Sequence, residues 1–380
     1  MGKLVYATDV EGPVKNIDFA WLILEKLIPK DLRSKYIERV RLFDKYDDLR
    51  WMQERSRAGH STGTTPVIAA LIASLAGLTN EELLESAKKY AIETPGAGNV
   101  IDWLKMHNTP LYFITSSAPF VPLIEAYERD VPSSNVYTMG KGLSDEDKIY
   151  FDETRKAGMN PLSQEIDKRF PFTGFGHMQP ERRLLTEFLD AYLNVCEKMR
   201  IEYLKSHPDR IALRELSKKQ RGLFEVVEEG SSALGEALWY LLQTEDGIMG
   251  AHRKQESLEE IQNKEGVERA DLVYVGGGIV DADPLNYAGL GISVNCTNKE
   301  ALLSSDINMA IPNMRQLIPV INTINQCKNF DELESGLKSL QRFLNGDKTR
   351  GRMFLTEDIE ADLEGVKSIN REFKNLIKRL

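Results

Sequence analysis

Cysteine is scarce. The 380-residue chain has three (Cys196, Cys296 and Cys327), far apart in sequence and in no ligand-like spacing. That excludes a disulfide framework and a thiolate metal cluster, and reads as buried or incidental thiols in a reducing compartment. Positive charge is also in deficit, with 49 Lys and Arg against 58 Asp and Glu and a formal net charge of -9. Phosphate-backbone binding draws on clustered cations, so a nucleic-acid partner is not expected. The basic stretch Arg210–Arg221 has acids around it and reads as a solvated helix face. No apolar run approaches the roughly 20 residues that a membrane-spanning helix needs. Met1-Gly2-Lys3 passes directly into a strand-like run, so no signal peptide is expected, and Tyr6 stands where a myristoylation site needs Ser or Thr. The spaced-glycine fingerprint of dinucleotide binders is missing, since Gly276-Gly277-Gly278 lies late and unspaced. A cytoplasmic protein is the expectation, with no nucleic-acid partner and no membrane span.

What is present is an ordinary globular composition, long enough for a catalytic domain plus one or two accessory modules. Leu4–Thr8 is a short apolar run that breaks at Asp9, Glu11, Gly12 and Pro13, as a buried strand entering a turn does. A helical pattern fills 16–92, with Phe19, Leu22, Ile23 and Leu27 on one face and an apolar helix over Pro66–Leu78. Thr79 with Glu82 forms a capping-box pattern before Asn80–Tyr90. Further strands are expected at Pro110–Ile114, Val136–Met139, Leu272–Val275, Ile292–Asn295 and Asn308–Ile311. Residues 141–250 read as mostly helical, and the chain beyond Pro312 as helical with a polar loop at Asn345–Arg352. The order of elements predicts an α/β fold: an open parallel sheet with a helical module inserted after its first strand.

Four short segments carry the chemistry, each just beyond an expected strand or leading into one. Ligands bind at the carboxyl ends of strands in open α/β sheets. Asp9-Val10-Glu11-Gly12 places two carboxylates one residue apart, so that one can attack while the other trades a proton. Thr115-Ser116-Ser117 offers hydroxyls and backbone N–H groups to an anion. Lys254, with Arg253 as its competitor, opens a helix that could bring a cation to the same crevice. The glycines at 276–278 allow close backbone approach, and Asp281 and Asp283 follow. Each segment alone has a plain alternative as a turn, a helix cap or a surface charge.

Taken together and in this order, the segments resemble the haloacid-dehalogenase-like (HAD) superfamily. Asp9 looks like its nucleophile, Glu11 like its general acid/base, Thr115 like its second-motif hydroxyl, Lys254 like its third-motif lysine and Asp281 like a fourth-motif acid. Thr94-Pro95-Gly96-Ala97 and Ile292–Ala301 resemble the flanking segments of phosphoserine-phosphatase-like members. The resemblance implies a Rossmann-like core over 1–14, 93–140 and 250–312. It also implies a helical cap over 15–92, a mostly helical insertion over 141–249 and a helical extension over 313–380. A looser likeness in cap, insertion and tail together is to archaeal HAD-like proteins known as subunit R of energy-converting hydrogenase A.

The resemblance implies a phosphatase acting on a small phosphorylated metabolite through an aspartyl-phosphate. Thr115, Ser116 and Lys254 would hold the phosphate, and Mg²⁺ would sit on Asp9, the Glu11 carbonyl and Asp281. Gly277 departs from the pattern, standing where the family has its metal-binding aspartate, so metal affinity is expected to fall. Replacing it with Asp is expected to raise Mg²⁺ affinity at little cost to folding, because a strand-end glycine is conformationally tolerant. The alternative function is a HAD-fold subunit or regulator without turnover, such as a hydrogenase-associated protein, meeting a protein partner through 141–249 or the tail. Arg55, Arg57 and His60 before the apolar helix are candidates for substrate recognition, as are Phe172, Phe175 and His177.

Overall fold

The computed structural model describes residues 3–54, 63–140, 142–170, 182–194, 248–327, 330–346 and 351–377. The candidates Arg55, Arg57, His60, Phe172, Phe175 and His177, and most of 141–249, lie outside these residues.

Seven strands form one sheet: β1 (Val5–Thr8), β2 (Leu111–Ile114), β3 (Val136–Tyr137), β4 (Leu272–Gly276), β5 (Leu290–Val294), β6 (Ile307–Ala310) and β7 (Arg352–Leu355). Their order is β3-β2-β1-β4-β5-β6-β7. All pairs are parallel except β6 with β7. The five described strands β1, β2, β4, β5 and β6 are buried along their whole length, as expected where helices cover both faces of a parallel sheet. The order reverses between β1 and β4, and that reversal opens a crevice beyond the strands' carboxyl ends. This is the Rossmann-like α/β architecture expected from the sequence.

The segment between β1 and β2 is helical. It contains α1 (Lys30–Glu54), α2 (Thr64–Leu75) and α3 (Asn80–Tyr90), and α4 (Ala97–Met106) then leads back to the sheet. At the start of α3, the Thr79 hydroxyl accepts from the Glu82 N–H at 3.2 Å and the Glu82 carboxylate accepts from the Thr79 N–H at 2.9 Å, the reciprocal box read from the sequence. α2 is buried on nearly every side, which is why its sequence carries no polar stripe.

Two linkers join these helices to the core, and they are fastened to each other. The Thr94 N–H donates to the Val14 carbonyl at 2.9 Å, and the Thr94 hydroxyl donates to the Gly12 carbonyl at 2.7 Å. Gly12 takes a φ of 105°, a left-handed value that favours glycine at this turn. Beneath the linkers lies α5 (Phe120–Glu128), whose fully buried Glu125 meets Lys15 at 2.6 Å and Arg129 at 3.1 Å. Arg129 also pairs with Glu93.

One departure concerns the tail. The sequence pattern beyond Pro312 predicts helix apart from a polar loop at Asn345–Arg352, yet Arg352–Leu355 forms β7, an antiparallel edge strand on β6. Four residues are too few to establish a period of two, and the loop before them masks the boundary. α6 (Ala251–Glu265) and α7 (Ala282–Tyr287) flank β4, and α8 (Leu363–Ile377) closes the described chain. α8 packs on β6 through a buried hydrogen bond from Asn370 to Asn308 at 2.9 Å. Its last turn reaches the first linker, where the Asn16 amide donates to the Ile377 carbonyl at 3.3 Å. No described helix is long and apolar enough to cross a membrane.

Candidate active site

Asp9 is the first residue past β1 and continues the ladder, its N–H donating to the Val275 carbonyl at 2.8 Å. This fixes the backbone and turns the side chain into the crevice. One carboxylate oxygen, Oδ1, accepts the Val10 N–H at 2.8 Å, and the other, Oδ2, faces the Lys254 ammonium at 3.3 Å. The Thr115 side chain also hydrogen-bonds to the carboxylate. Burial pushes the Asp9 carboxyl up to about 6, with Asp281 adding to the rise and Lys254 and the hydrogen bonds opposing it. It is still mostly ionised at neutral pH.

Lys254 lies on the first turn of α6 and is fully buried. A buried ammonium needs partners, and it has two carboxylates: Asp9, and Asp281 at 2.7 Å. Burial alone would lower its pKa, but the two carboxylates outweigh that and raise it. Arg253, the competing candidate, turns instead toward Glu256 at 3.3 Å and Glu260 at 2.8 Å. An ammonium has three protons, so after two bonds one remains for a ligand.

Asp281 is enclosed. Its Oδ1 accepts from Lys254 and from the Tyr274 hydroxyl, both at 2.7 Å. Its Oδ2 accepts the Gly277 and Gly278 N–H groups, both at 2.8 Å. Burial would raise its pKa, but Lys254 and the other donors overcome this and hold it below the ordinary carboxylate value. Gly276 makes the arrangement possible, since a Cβ there would lie 2.5 Å from the Asp281 Cγ. Tyr274 was not apparent as a site residue from the sequence, where it reads as one more apolar residue of β4.

Glu11 is placed differently. The Ser117 hydroxyl donates to its Oε1 at 2.6 Å and the Phe19 N–H donates to the same oxygen at 3.2 Å. Both donors land on Oε1, which leaves Oε2 to carry a proton. Burial, followed by the nearby Asp18 charge, pushes the Glu11 carboxyl well above its ordinary value. One carboxylate is therefore poised as an anion and its neighbour as an acid, set apart by their surroundings.

Thr115 and Ser116 follow β2 into the same crevice, but Ser116 commits its hydroxyl to the Met249 carbonyl. Ser116 can therefore offer an anion its backbone N–H rather than its side chain. Among the described residues, the N–H groups of Glu11 and Ser116 donate to no protein acceptor. Over them stands the start of α2: a Cβ on Gly63 would lie 3.6 Å from the Ser116 Oγ and 3.5 Å from the Met249 carbonyl.

Comparison with known proteins adds a fold relationship. No family model matches the sequence, and no curated protein matches it. Gene product AF1437 from Archaeoglobus fulgidus has a similar solved structure, with a TM-score of 0.63 at 17% identity over 100% of this chain and 98% of that one. What is shared is the fold. A substrate-bound phosphoserine phosphatase complex is similar at a TM-score of 0.41 and 12% identity, covering 84% of this chain and 98% of that chain. That likeness is too slight to carry an inference about this chain.

The Mg²⁺ site expected at Asp9, the Glu11 carbonyl and Asp281 does not find a matching donor set. Asp281 has all four acceptor positions taken by the donors just described. Asp9 alone is left as a carboxylate, and among the described residues no group of three His, Cys, Asp or Glu could hold a metal ion. Gly277 also differs from expectation. A Cβ there would meet the Val294 carbonyl at 2.7 Å, so close packing, and not turn flexibility, keeps this position glycine. The expectation that Asp would be tolerated at 277 is corrected accordingly.

Proposed function

We propose that this chain is a HAD-type phosphohydrolase that transfers the phosphoryl group of a small phosphomonoester to Asp9. The observation that carries the reading is the placement of Asp9. It is oriented by the Val10 N–H and held by Lys254 and Thr115, and a second, differently bonded carboxylate, Glu11, follows two residues on.

In the first step an Asp9 carboxylate oxygen attacks phosphorus. The bond from phosphorus to the leaving oxygen breaks, and Glu11 gives that oxygen a proton. In the second step Glu11, now ionised, takes a proton from water as the water attacks the aspartyl-phosphate, and the Asp9 carboxylate is released. Proton transfer positioned in this way contributes on the order of 10²–10⁴ in rate. Lys254 and the N–H groups of Glu11 and Ser116 oppose the charge that builds on the phosphoryl oxygens. The helices between β1 and β2 act as a lid, which fits the position of Gly63 beside Ser116, and its closure would exclude water from the first step.

A second reading, a HAD-fold subunit without turnover, is favoured by one observation: the backbone of Val294 closes position 277 to a carboxylate. Phosphate release from a panel of small phosphomonoesters, with and without Mg²⁺, separates the two. Turnover that disappears in Asp9→Asn supports the hydrolase. No turnover on any substrate, or turnover retained in Asp9→Asn, rejects it.

A further inference from the structure

At the end of the sheet opposite the crevice lies a cavity of about 620 Å³. Its floor is made by the first residue of β5, Leu290, the first of β6, Ile307, and the last of β7, Leu355. Ile307 and Leu355 are in register, which brings these strand ends together. One wall is the helix Phe330–Asn345, which contributes Leu333 and Leu337, one turn apart. An apolar recess of this volume is of the size that holds a small molecule. A protein partner calls instead for a broad patch of roughly 800 Å² on each side.

Polar fastenings hold that wall in place. The Asn345 side chain accepts the Met353 N–H at 2.8 Å and donates to the Met353 carbonyl at 3.0 Å. Gln341 donates to the same carbonyl at 3.3 Å and to Asp358 at 2.5 Å. Gly336 seats the helix against Leu317–Gln326, where a Cβ would come within 2.7 Å of the Thr323 methyl group. Bound to β7 and pressed on its neighbouring helix, the wall cannot close the cavity by a small shift.

The charges around the cavity are mostly of one sign. Asp306, Glu334, Glu357 and Glu360 line it against a single cation, Lys338. That ammonium is shared between Glu334 at 2.7 Å and Glu357 at 3.8 Å. Glu357 and Glu360 lie one turn apart on the short helix Thr356–Ala361, and among the described residues Glu360 pairs with no cation. Asp306 accepts the Gly291 N–H on Oδ2 at 2.8 Å, and its Oδ1 accepts no hydrogen bond among the described residues. Carboxylates arranged in this way favour a cationic head group and oppose an anionic one.

We propose that this cavity binds a small amphiphilic amine, with its apolar body on Leu290, Ile307, Leu333, Leu337 and Leu355 and its ammonium among Asp306, Glu357 and Glu360. The site lies at the amino ends of β5 and β6, whereas Asp9 lies past the carboxyl end of β1, so it stands apart from the phosphohydrolase reading.

Calorimetric titration of the full chain with octylammonium, octanoate and octanol tests the proposal. Octylammonium should bind saturably at one site. Octanoate and octanol should bind at least about tenfold more weakly, the size of one hydrogen bond to a charged group. Joint replacement Glu357→Gln and Glu360→Gln, on the exposed rim, should weaken octylammonium by about tenfold and leave octanol unaffected. Leu333→Ser should weaken all three, because it removes apolar contact that they share. Melting temperatures establish that each variant is folded, and inorganic phosphate should not displace the amine. The proposal fails if octylammonium shows no saturable binding, or if octanoate or octanol binds as tightly. It fails equally if the doubly substituted protein binds the amine unchanged, or if phosphate competes with the amine, which would put the amine in the crevice.

Discussion

Lys254 and Asp281 meet at 2.7 Å with neither side chain exposed to solvent. They lie 27 residues apart, on α6 and just past β4, and the same ammonium reaches Asp9 at 3.3 Å. The pair therefore ties the carboxyl end of β4 to that of β1, across the reversal in strand order where the crevice opens.

Removing the cation should leave two buried carboxylates without compensation. Lys254→Met is expected to destabilise the fold by about 3–5 kcal/mol near pH 8, the usual cost of breaking a buried pair from one side. Without Lys254, both acids would have folded-state pKa values above their unfolded ones. Stability contributed by such groups is lost as pH rises, so the deficit should shrink as pH falls toward 5. Urea denaturation of both proteins at pH 5 and pH 8 checks this. A deficit that is the same at both pH values would show that lost packing, and not charge, dominates.

Gly277→Ala should destabilise the protein by roughly 1–3 kcal/mol, as overpacking does in a close-packed interior. The strain arises from the 2.7 Å approach of the new Cβ to the Val294 carbonyl. Gly277→Asp should cost at least as much. A lower urea midpoint with an unchanged slope is the expected result; a Gly277→Asp protein as stable as the parent would show that β5 yields more easily than its bonds to β6 imply.

The pH profile of turnover should carry the signature of Asp9. Its carboxyl titrates at about 6, and only the ionised form attacks phosphorus. Below that point kcat/KM should fall about tenfold per pH unit, since kcat/KM reports the free enzyme. A profile that stays level down to about pH 4, the ordinary carboxylate range, would reject Asp9 as the group whose ionisation limits the rate.

The linkers offer a fourth test. Glu125 is fully buried and holds both Lys15 and Arg129. Glu125→Leu keeps bulk but removes the buried partner that Lys15 and Arg129 share, and should cost about 3 kcal/mol or more. Because Lys15 lies on the outgoing linker and Arg129 pairs with Glu93 on the returning one, protection of the linker amides from hydrogen exchange should fall by more than that of β1 or β4. Equal loss in linkers and strands would show that Glu125 stabilises the whole core without a particular hold on the linkers.

The sequence by itself determined the strands that matter most, the positions of Asp9, Glu11 and Thr115 just past two of them, and that of Lys254 at the opening of a helix. Short apolar runs broken by glycine, hydroxyl or acid are local patterns, and strand burial and helix capping are local physics, as Thr79 with Glu82 shows. Only the tertiary structure decided which partners these groups meet. That Lys254 and not its neighbour Arg253 turns inward depends on the packing of α6. That Ser116 gives its hydroxyl to Met249, while Ser117 takes up Glu11, depends on segments more than 100 residues apart. Tyr274 reads as one more apolar residue of a buried strand until its hydroxyl is found on Asp281. Gly277 is the clearest case. In sequence it is a missing carboxylate, while in the fold it is a position where the carbonyl of the neighbouring strand leaves no room for a side chain.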